Sequence, residues 1–302
     1  MTLAVIAGPT GSGKSELALR LAEECGGEIV NYDSMQIYRG FDIGTAKPSE
    51  AERRLVPHHL FDIVEATDEF NAADYARMAR PLCEEIAARG KLPILTGGTF
   101  FYLRALLSGL PEMPGRNETI RLRLRKIAAT ARGQARLHRW LEGVDRESAA
   151  RIPPPDRHRV ERALEVWIST GRPISSWART GDELPSIKIA LRLDRPQLLE
   201  RLDARVDAMY RSGLVDETRA LLTRFPRSAR PFSAIGYREA AAVVTDETGL
   251  ASAITETKRR TRAYAKRQMT WLRSERNVQW IDATRGEETF AAARRLLREV
   301  RS

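Results

Sequence analysis

Residues 8–15 run Gly8, Pro9, Thr10, Gly11, Ser12, Gly13, Lys14, Ser15 and fit the pattern G-x-x-x-x-G-K-[ST]. The chemistry this spacing serves is the holding of a phosphate group. Glycines let successive backbone N–H groups turn inward around phosphate oxygens, and a helix opening behind the loop adds partial positive charge. Lys14 supplies a full charge, and Ser15 offers a hydroxyl that can hold a hydrated Mg²⁺. The pattern does not say which phosphate ester is held. The usual companions of nucleotide hydrolysis are missing: no apolar run of four ends in Asp or Glu as a Walker B strand does, and no guanine-reading NKxD sequence occurs.

Polar residues also end two other apolar runs. Asp33 follows Glu28, Ile29, Val30, Asn31 and Tyr32. Its carboxylate could accept a proton beside the cradle, or simply cap the turn formed by Ser34, Met35 and Gln36. Thr96, Gly97, Gly98 and Thr99 close the second run, where glycines permit close approach of a ligand or base. Thr99 could face that ligand or cap the helix that follows. Towards the C-terminus, residues 257–274 carry Lys258, Arg259, Arg260, Arg262, Lys266, Arg267 and Arg273 with no acidic residue. Tyr264, Gln268 and Trp271, spaced at four and three, interleave with this charge. Such a stripe suits nucleic acid or diphosphate, while the two aromatics could equally be core residues.

The elements that must position these residues follow from the apolar pattern. Leu3–Ala7 reads as a strand ahead of the cradle and residues 15–24 as a helix behind it, with Leu17 and Leu21 at helical spacing. Residues 28–32, 92–96, 187–193 and 278–281 read as further strands, and residues 72–89 as a helix that Gly90 terminates. The alternation predicts an α/β fold, a P-loop parallel sheet flanked by helices, with ligands at the carboxyl ends of the strands. Between Pro111 and Pro185 the chain is Arg-rich and lacks a convincing strand, and Pro/Gly segments at 111–115 and 181–185 bound it. This predicts a helical insertion domain over residues 116–184, with 1–115 and 185–302 as the core. Within it, Asp156 caps a helix over residues 157–170 that Gly171 ends, and Val160, Leu164, Trp167 and Ile168 form its apolar face.

Composition narrows the class of partner. The 302 residues are 42% hydrophobic and carry a net charge of +10, which leans towards a polyanion. Lys and Arg number 11 against 16 Asp and Glu in residues 1–115, 15 against 9 in 116–184, and 24 against 15 in 185–302, so the excess lies outside the first segment. Cys25 and Cys83 cannot build a disulfide framework and are expected to be small buried residues. His58, His59, His138 and His158 show no zinc-type spacing. The apolar start at residues 2–7 is too short for a signal peptide, and no later run approaches a membrane span, so the expectation is a soluble, cytoplasmic protein.

Several segments taken together resemble the bacterial tRNA dimethylallyltransferases, which attach an isopentenyl group to the adenosine beside the anticodon. Residues 8–15 match that family's GPTxSGK[ST] loop. Asp33, Ser34, Met35, Gln36, Ile37 and Tyr38 match its DSxxxY segment, and Asp42, Ile43, Gly44, Thr45, Ala46, Lys47 and Pro48 its DIGTAKP segment. Gly97, Gly98 and Thr99 with Tyr102, residues 159–165, Gly236 with Tyr237, and Ala265, Lys266, Arg267 and Gln268 with Thr270, Trp271 and Leu272 extend the likeness over nearly the whole chain.

What the resemblance implies is a P-loop used for dimethylallyl diphosphate instead of ATP hydrolysis, with Mg²⁺ and an insertion that grips the anticodon stem-loop of tRNA. It implies Asp33 as general base, Thr99 and Lys14 as catalytic partners, Arg267 beside the P-loop on diphosphate, and Ser15 as metal ligand. Contact with tRNA falls to Asp33, Ser34, Met35, Gln36, Thr99, Arg121 and the strip His158, Arg159, Val160, Glu161 and Arg162. The chain is taken to act as a monomer. The adenine amine is a poor nucleophile inside a stacked loop, so the base must be extruded, posed against C1 and relieved of a proton while diphosphate leaves. A P-loop kinase of a small metabolite, an isopentenyltransferase of free AMP or ADP, and an RNA-binding protein with a nucleotide switch are the rival readings. The absent Walker B sequence and the basic C-terminal segment weigh against the kinase, and the insertion weighs against free AMP.

Overall fold

A computed structural model describes residues 1–178 and 183–298. At its centre six strands pair in parallel in the order β3-β2-β4-β1-β5-β6. They are β1 (Leu3–Ala7), β2 (Gly27–Asn31), β3 (His58–His59), β4 (Leu92–Thr96), β5 (Ser186–Arg192) and β6 (Val278–Asp282). Every residue of β1, β2 and β4 is buried, as expected of parallel strands covered on both faces; β1 reads as a continuous apolar run and β4 nearly so, while β2 also buries Glu28 and Asn31. The P-loop α/β architecture expected from the sequence is the one observed. The two-residue β3 was not foreseen, being too short to leave a periodic signal.

Two compact units are present, residues 1–107 with 183–302 and residues 108–182. The first contains the sheet with α1 (Lys14–Cys25), α2 (Glu50–Leu55), α3 (Ala72–Ala88) and α4 (Phe100–Ser108), the last ending at the unit boundary. The second is wholly helical among its described residues: α5 (Glu118–Ala128), α6 (Gly133–Val144), α7 (Arg146–Arg151) and α8 (Arg157–Thr170). The chain then returns to the sheet unit with α9 (Arg195–Arg211), α10 (Leu214–Arg224), α11 (Tyr237–Val244), α12 (Leu250–Ser274) and α13 (Glu287–Arg298). In that unit Leu17, Ala18 and Leu21 of α1 share a core with Ile6, Ile29 and Ile94 of the sheet and Phe290 and Ala293 of α13. Among the described residues no helix is long and apolar enough to cross a membrane.

The observed divisions, 107/108 and 182/183, both lie N-terminal to those drawn at 115/116 and 184/185. Leu184 belongs to the sheet unit, its amide donating to the Leu107 carbonyl at 2.8 Å. Of the segment 181–185 taken as a boundary, Gly181 lies outside the described residues. The helix read at 157–170 is α8, with the Asp156 carboxylate accepting from the Arg159 amide and Gly171 left-handed at its end. Its apolar face is narrower than expected: Val160 and Leu164 are buried, whereas Ile168 is 39% exposed. Cys83 is buried but Cys25 only half so.

Glu165, side chain 1% exposed, organises the helical unit. It accepts two hydrogen bonds from the Arg121 guanidinium (2.9 and 3.0 Å), one from Arg162 (2.7 Å) and one from the Asn117 amide (2.6 Å). Burial opposes ionisation, but these donors outweigh it and hold the carboxyl down at about 2. The contribution to stability is therefore present above the ordinary value of 4.5 and lost as pH falls towards 2. Glu165→Ala leaves two arginines without their partner and should destabilise this unit by about 3–5 kcal/mol in urea unfolding monitored by tryptophan fluorescence. A loss below 1 kcal/mol (roughly a surface-pair value) would contradict that role.

Candidate active site

Because β2, β4 and β1 are neighbours, the loops that leave their carboxyl ends emerge side by side. In register, Thr96 of β4 faces both Ile6 of β1 and Asn31 of β2, so the P-loop, the Asp33 turn and the Gly97–Gly98 loop share one edge. Such an edge, where strand order reverses, is where open α/β sheets bind ligands. Gly11 and Gly13 take φ of 80° and 85°, and Gly13 is the N-cap of α1, whose first residues Lys14 and Ser15 face the cavity.

Asp33 caps its turn and keeps one carboxylate oxygen clear of protein donors among the described residues. Its Oδ1 accepts from the Met35 amide at 2.9 Å and so caps the turn, while its Oδ2 has no donor among the described residues. That second oxygen lies against Gly98, where an added Cβ would come within 2.7 Å of it. Ser34 and Thr99 hold the turn to the neighbouring loop: the Ser34 amide donates to Thr99 Oγ1 at 2.9 Å, and Thr99 Oγ1 donates to Ser34 Oγ at 3.0 Å. Thr99 therefore lines the cavity with its proton already committed and can only accept from a ligand. Gln36 donates to the carbonyls of Thr45 (3.0 Å) and Ala46 (3.1 Å), so its amide nitrogen fixes a loop and does not read a base.

From α12, Gln268 reaches across this edge. Its Oε1 accepts from the Thr10 amide at 2.8 Å, and its Nε2 donates to the Gly98 carbonyl at 3.1 Å. Tyr264 donates to the same carbonyl at 2.8 Å, and burial reinforced by Asp33 pushes its phenol up, keeping it a donor. Trp271 stacks on Phe100 with centroids 4.3 Å apart and planes 4° from parallel. The stripe is thus mainly a structural seam that also lines the cavity.

The floor is cationic. Burial and, after it, the Arg205 charge lower Lys14 to about 8, against the opposing pull of Asp33. Arg205, on α9, is half-buried and has no carboxylate in salt-bridge range among the described residues; burial lowers it and Asp33 raises it. Sequence reading missed Arg205, which lies amid the ordinary charges of an amphipathic helix; only the chain's folding brings it to the P-loop. Two cations beside one another without acids to match them form a site for an anion.

The α12 charge run divides. The helix starts at Leu250, earlier than expected, and its early cations are neutralised: Lys258 by Asp207, Arg259 by Glu256, Arg260 by Glu239 and Arg262 by Asp203. Lys266, Arg267 and Arg273 are exposed without ion pairs among the described residues, and Arg267 lines the cavity. In the helical unit the anticipated RNA strip needs correction. Val160 is fully buried, Glu161 is buried against Arg125, and Arg121 and Arg162 are committed to Glu165; only His158 and Arg159 are exposed, and Arg159 pairs with Asp156.

The P-loop, the Asp33 turn, the Gly97–Gly98 loop, Arg205 and the inner face of α12 enclose a cavity of about 680 Å³, inside the range of roughly 300–1,000 Å³ typical of small-molecule sites. The family model described as IPP transferase matches residues 36–275. The tRNA dimethylallyltransferase of Solibacter usitatus is 51% identical over 286 residues, 93% of this chain and 92% of the relative. The chain belongs to the tRNA dimethylallyltransferase family.

Solved structures agree with that membership. The full-length tRNA isopentenylpyrophosphate transferase of Bacillus halodurans gives a TM-score of 0.74 at 37% identity, over 99% of this chain and 96% of its own. A eukaryotic dimethylallyltransferase acting on tRNA gives 0.81 at 29% identity, over 98% and 77%. In this tRNA dimethylallyltransferase homologue no group of three or more His, Cys, Asp or Glu able to hold a metal occurs among the described residues. A Mg²⁺ ion that takes most of its oxygens from phosphate and water needs fewer, and the Ser15 hydroxyl, which lines the cavity at the start of α1, is a donor of that kind.

The lowered Lys14 makes anion binding pH-dependent. An incoming diphosphate raises it again, so affinity is full below about pH 8, falls by up to about tenfold per unit above, and binding near pH 8 takes up protons. Titration calorimetry with inorganic diphosphate at pH 7, 8 and 9 (~ one-unit steps around this value) checks it, with Lys14→Met correcting for the ligand's own ionisation. Identical pH dependence in the two proteins would refute the assignment.

Proposed function

We propose that the chain transfers a dimethylallyl group from dimethylallyl diphosphate to N6 of adenosine 37 in tRNA, releasing diphosphate. The observation that carries this is the single cavity in which a P-loop floor and an Asp33 oxygen free of protein donors face the same space. The P-loop amides, Lys14 and Arg205 would hold the diphosphate, with Arg267 at the cavity wall. Asp33 Oδ2 would accept a hydrogen bond from the extruded adenine's amine, orienting its lone pair towards C1 of the donor. As the N6–C1 bond forms, the C1–oxygen bond breaks, its electron pair stays on diphosphate, and the amine proton passes to Asp33. Carboxylates are weak bases, so orientation is the larger part of that role. Mg²⁺, held by Ser15 and the diphosphate, would supply further charge neutralisation on the leaving group.

RNA contact in the helical unit would fall to cations that the fold leaves unpaired: Arg123, Lys126, Arg136, Arg139, Arg146 and Arg157 are exposed and make no ion pair among the described residues. They replace the buried or paired members of the strip first assigned. We take the protein to work in the cytoplasm as a single chain.

Nucleoside mass spectrometry of an unmodified tRNA transcript, incubated with the protein, Mg²⁺ and dimethylallyl diphosphate, should show one C5H8 gained on adenosine. Prenylated AMP in place of tRNA, when both acceptors are offered, would move the activity to a free-nucleotide acceptor. Asp33→Ala should lower single-turnover transfer by about 10²–10⁴-fold with tRNA affinity nearly unchanged, and equal losses of both would make the residue structural.

A further inference from the structure

The loop at residues 42–48 supplies cavity-lining positions Gly44, Thr45, Ala46, Lys47 and Pro48, yet none of its side chains is suited to the chemistry. What holds it is a carboxylate and a phenol from two other helices. Glu217 of α10 accepts from the Ile43 amide at 3.0 Å and from the Asp42 amide at 3.3 Å, and the Tyr237 hydroxyl of α11 donates to the same carboxylate. Tyr237 in turn accepts from the Gly44 amide at 3.1 Å, and a Cβ on Gly44 would come within 2.5 Å of the Tyr237 ring. The loop's far side is tied by Lys47, whose buried ammonium bridges Asp42 and Asp62, and by the two Gln36 bonds to Thr45 and Ala46. Through Gln36 the chain of contacts reaches the Asp33 turn, and the loop lines the same cavity as Lys14 and Arg205.

We propose that Glu217 and Tyr237 are positioning residues that fix the loop at 42–48 as a wall of the cavity that also holds Lys14 and Arg205, and thereby set the affinity for the diphosphate. This rests on the reading of the cavity as a prenyl diphosphate site. Three backbone amides, one carboxylate and one phenol are satisfied only in this arrangement, so the wall has one position instead of several. Burial and Glu217 push the Tyr237 phenol up, which keeps its proton on the donor side of that pair.

Tyr237→Phe removes the hydroxyl but keeps the ring, which packs on Phe41 at 4.9 Å. Calorimetry with inorganic diphosphate should then show affinity weakened about tenfold, with affinity for an unmodified tRNA transcript within about twofold and the melting temperature within about 3 °C. Combined with Gln36→Ala, the losses should overlap and not add, because both act through the same loop. Should Tyr237→Phe fail to fold, Glu217→Gln, which turns a donor towards the loop amides, gives the same readout. Unchanged diphosphate affinity, parallel loss of both ligands with falling melting temperature, or additive losses would each overturn the proposal. A wild-type protein that binds diphosphate but adds no C5H8 to tRNA would instead sink the functional reading and leave the positioning result standing.

Discussion

One buried carboxamide holds the two halves of the site in register. Gln268, 3% exposed, accepts from the P-loop at Thr10 and donates to the neighbouring loop at Gly98. The first contact belongs to the phosphate side and the second to the side where Asp33 stands. A carboxamide is the side chain that can do this, since it offers an acceptor and a donor on one planar group and brings no charge to compete with Lys14 or Arg205. Buried and satisfied at both ends, it costs little; with one partner removed, the orphaned group would carry the full desolvation penalty. The spacing between the P-loop and the Asp33 side of the cavity is in this way set by α12.

Charge is distributed to the same end. Several cations are neutralised at close range: four of the seven in the α12 run, Lys47 in the 42–48 loop, and Arg121 and Arg162 in the helical unit all meet carboxylates. Inside the cavity, Lys14 and Arg205 share only Asp33, and burial lowers both. An anion entering there gains from two partly desolvated cations that no protein group has already satisfied. The net charge of +10 is less informative than this difference between paired and unpaired cations.

Much of this was legible in the sequence where the signal is local. The glycine loop, the strand ahead of it and the polar residues that end β2 and β4 are set by nearest-neighbour chemistry and by apolar runs, and they appeared where expected. Arg205 and Glu217 were not legible: each sits in an amphipathic helix among ordinary charges, and only folding carries it to the P-loop or to the 42–48 loop. Within the strip read as RNA-binding, the place of Val160 on the helix's apolar face was legible from its spacing, whereas the carboxylate 44 residues away that pairs with Arg121 was not. The insertion boundary was displaced because it is fixed by the pairing of Leu184 with Leu107, which the Pro and Gly residues nearby do not report.

The central claim is that Gln268 aligns two bound substrates and does little to bind either. It is tested by Gln268→Met, similar in length but unable to bridge, in single-turnover transfer with dimethylallyl diphosphate and tRNA both saturating. The account predicts a rate about 10²-fold lower, with the dissociation constant of each substrate alone changed by less than about threefold. A rate at the wild-type level, or a loss matched by equally weakened diphosphate binding, would contradict it.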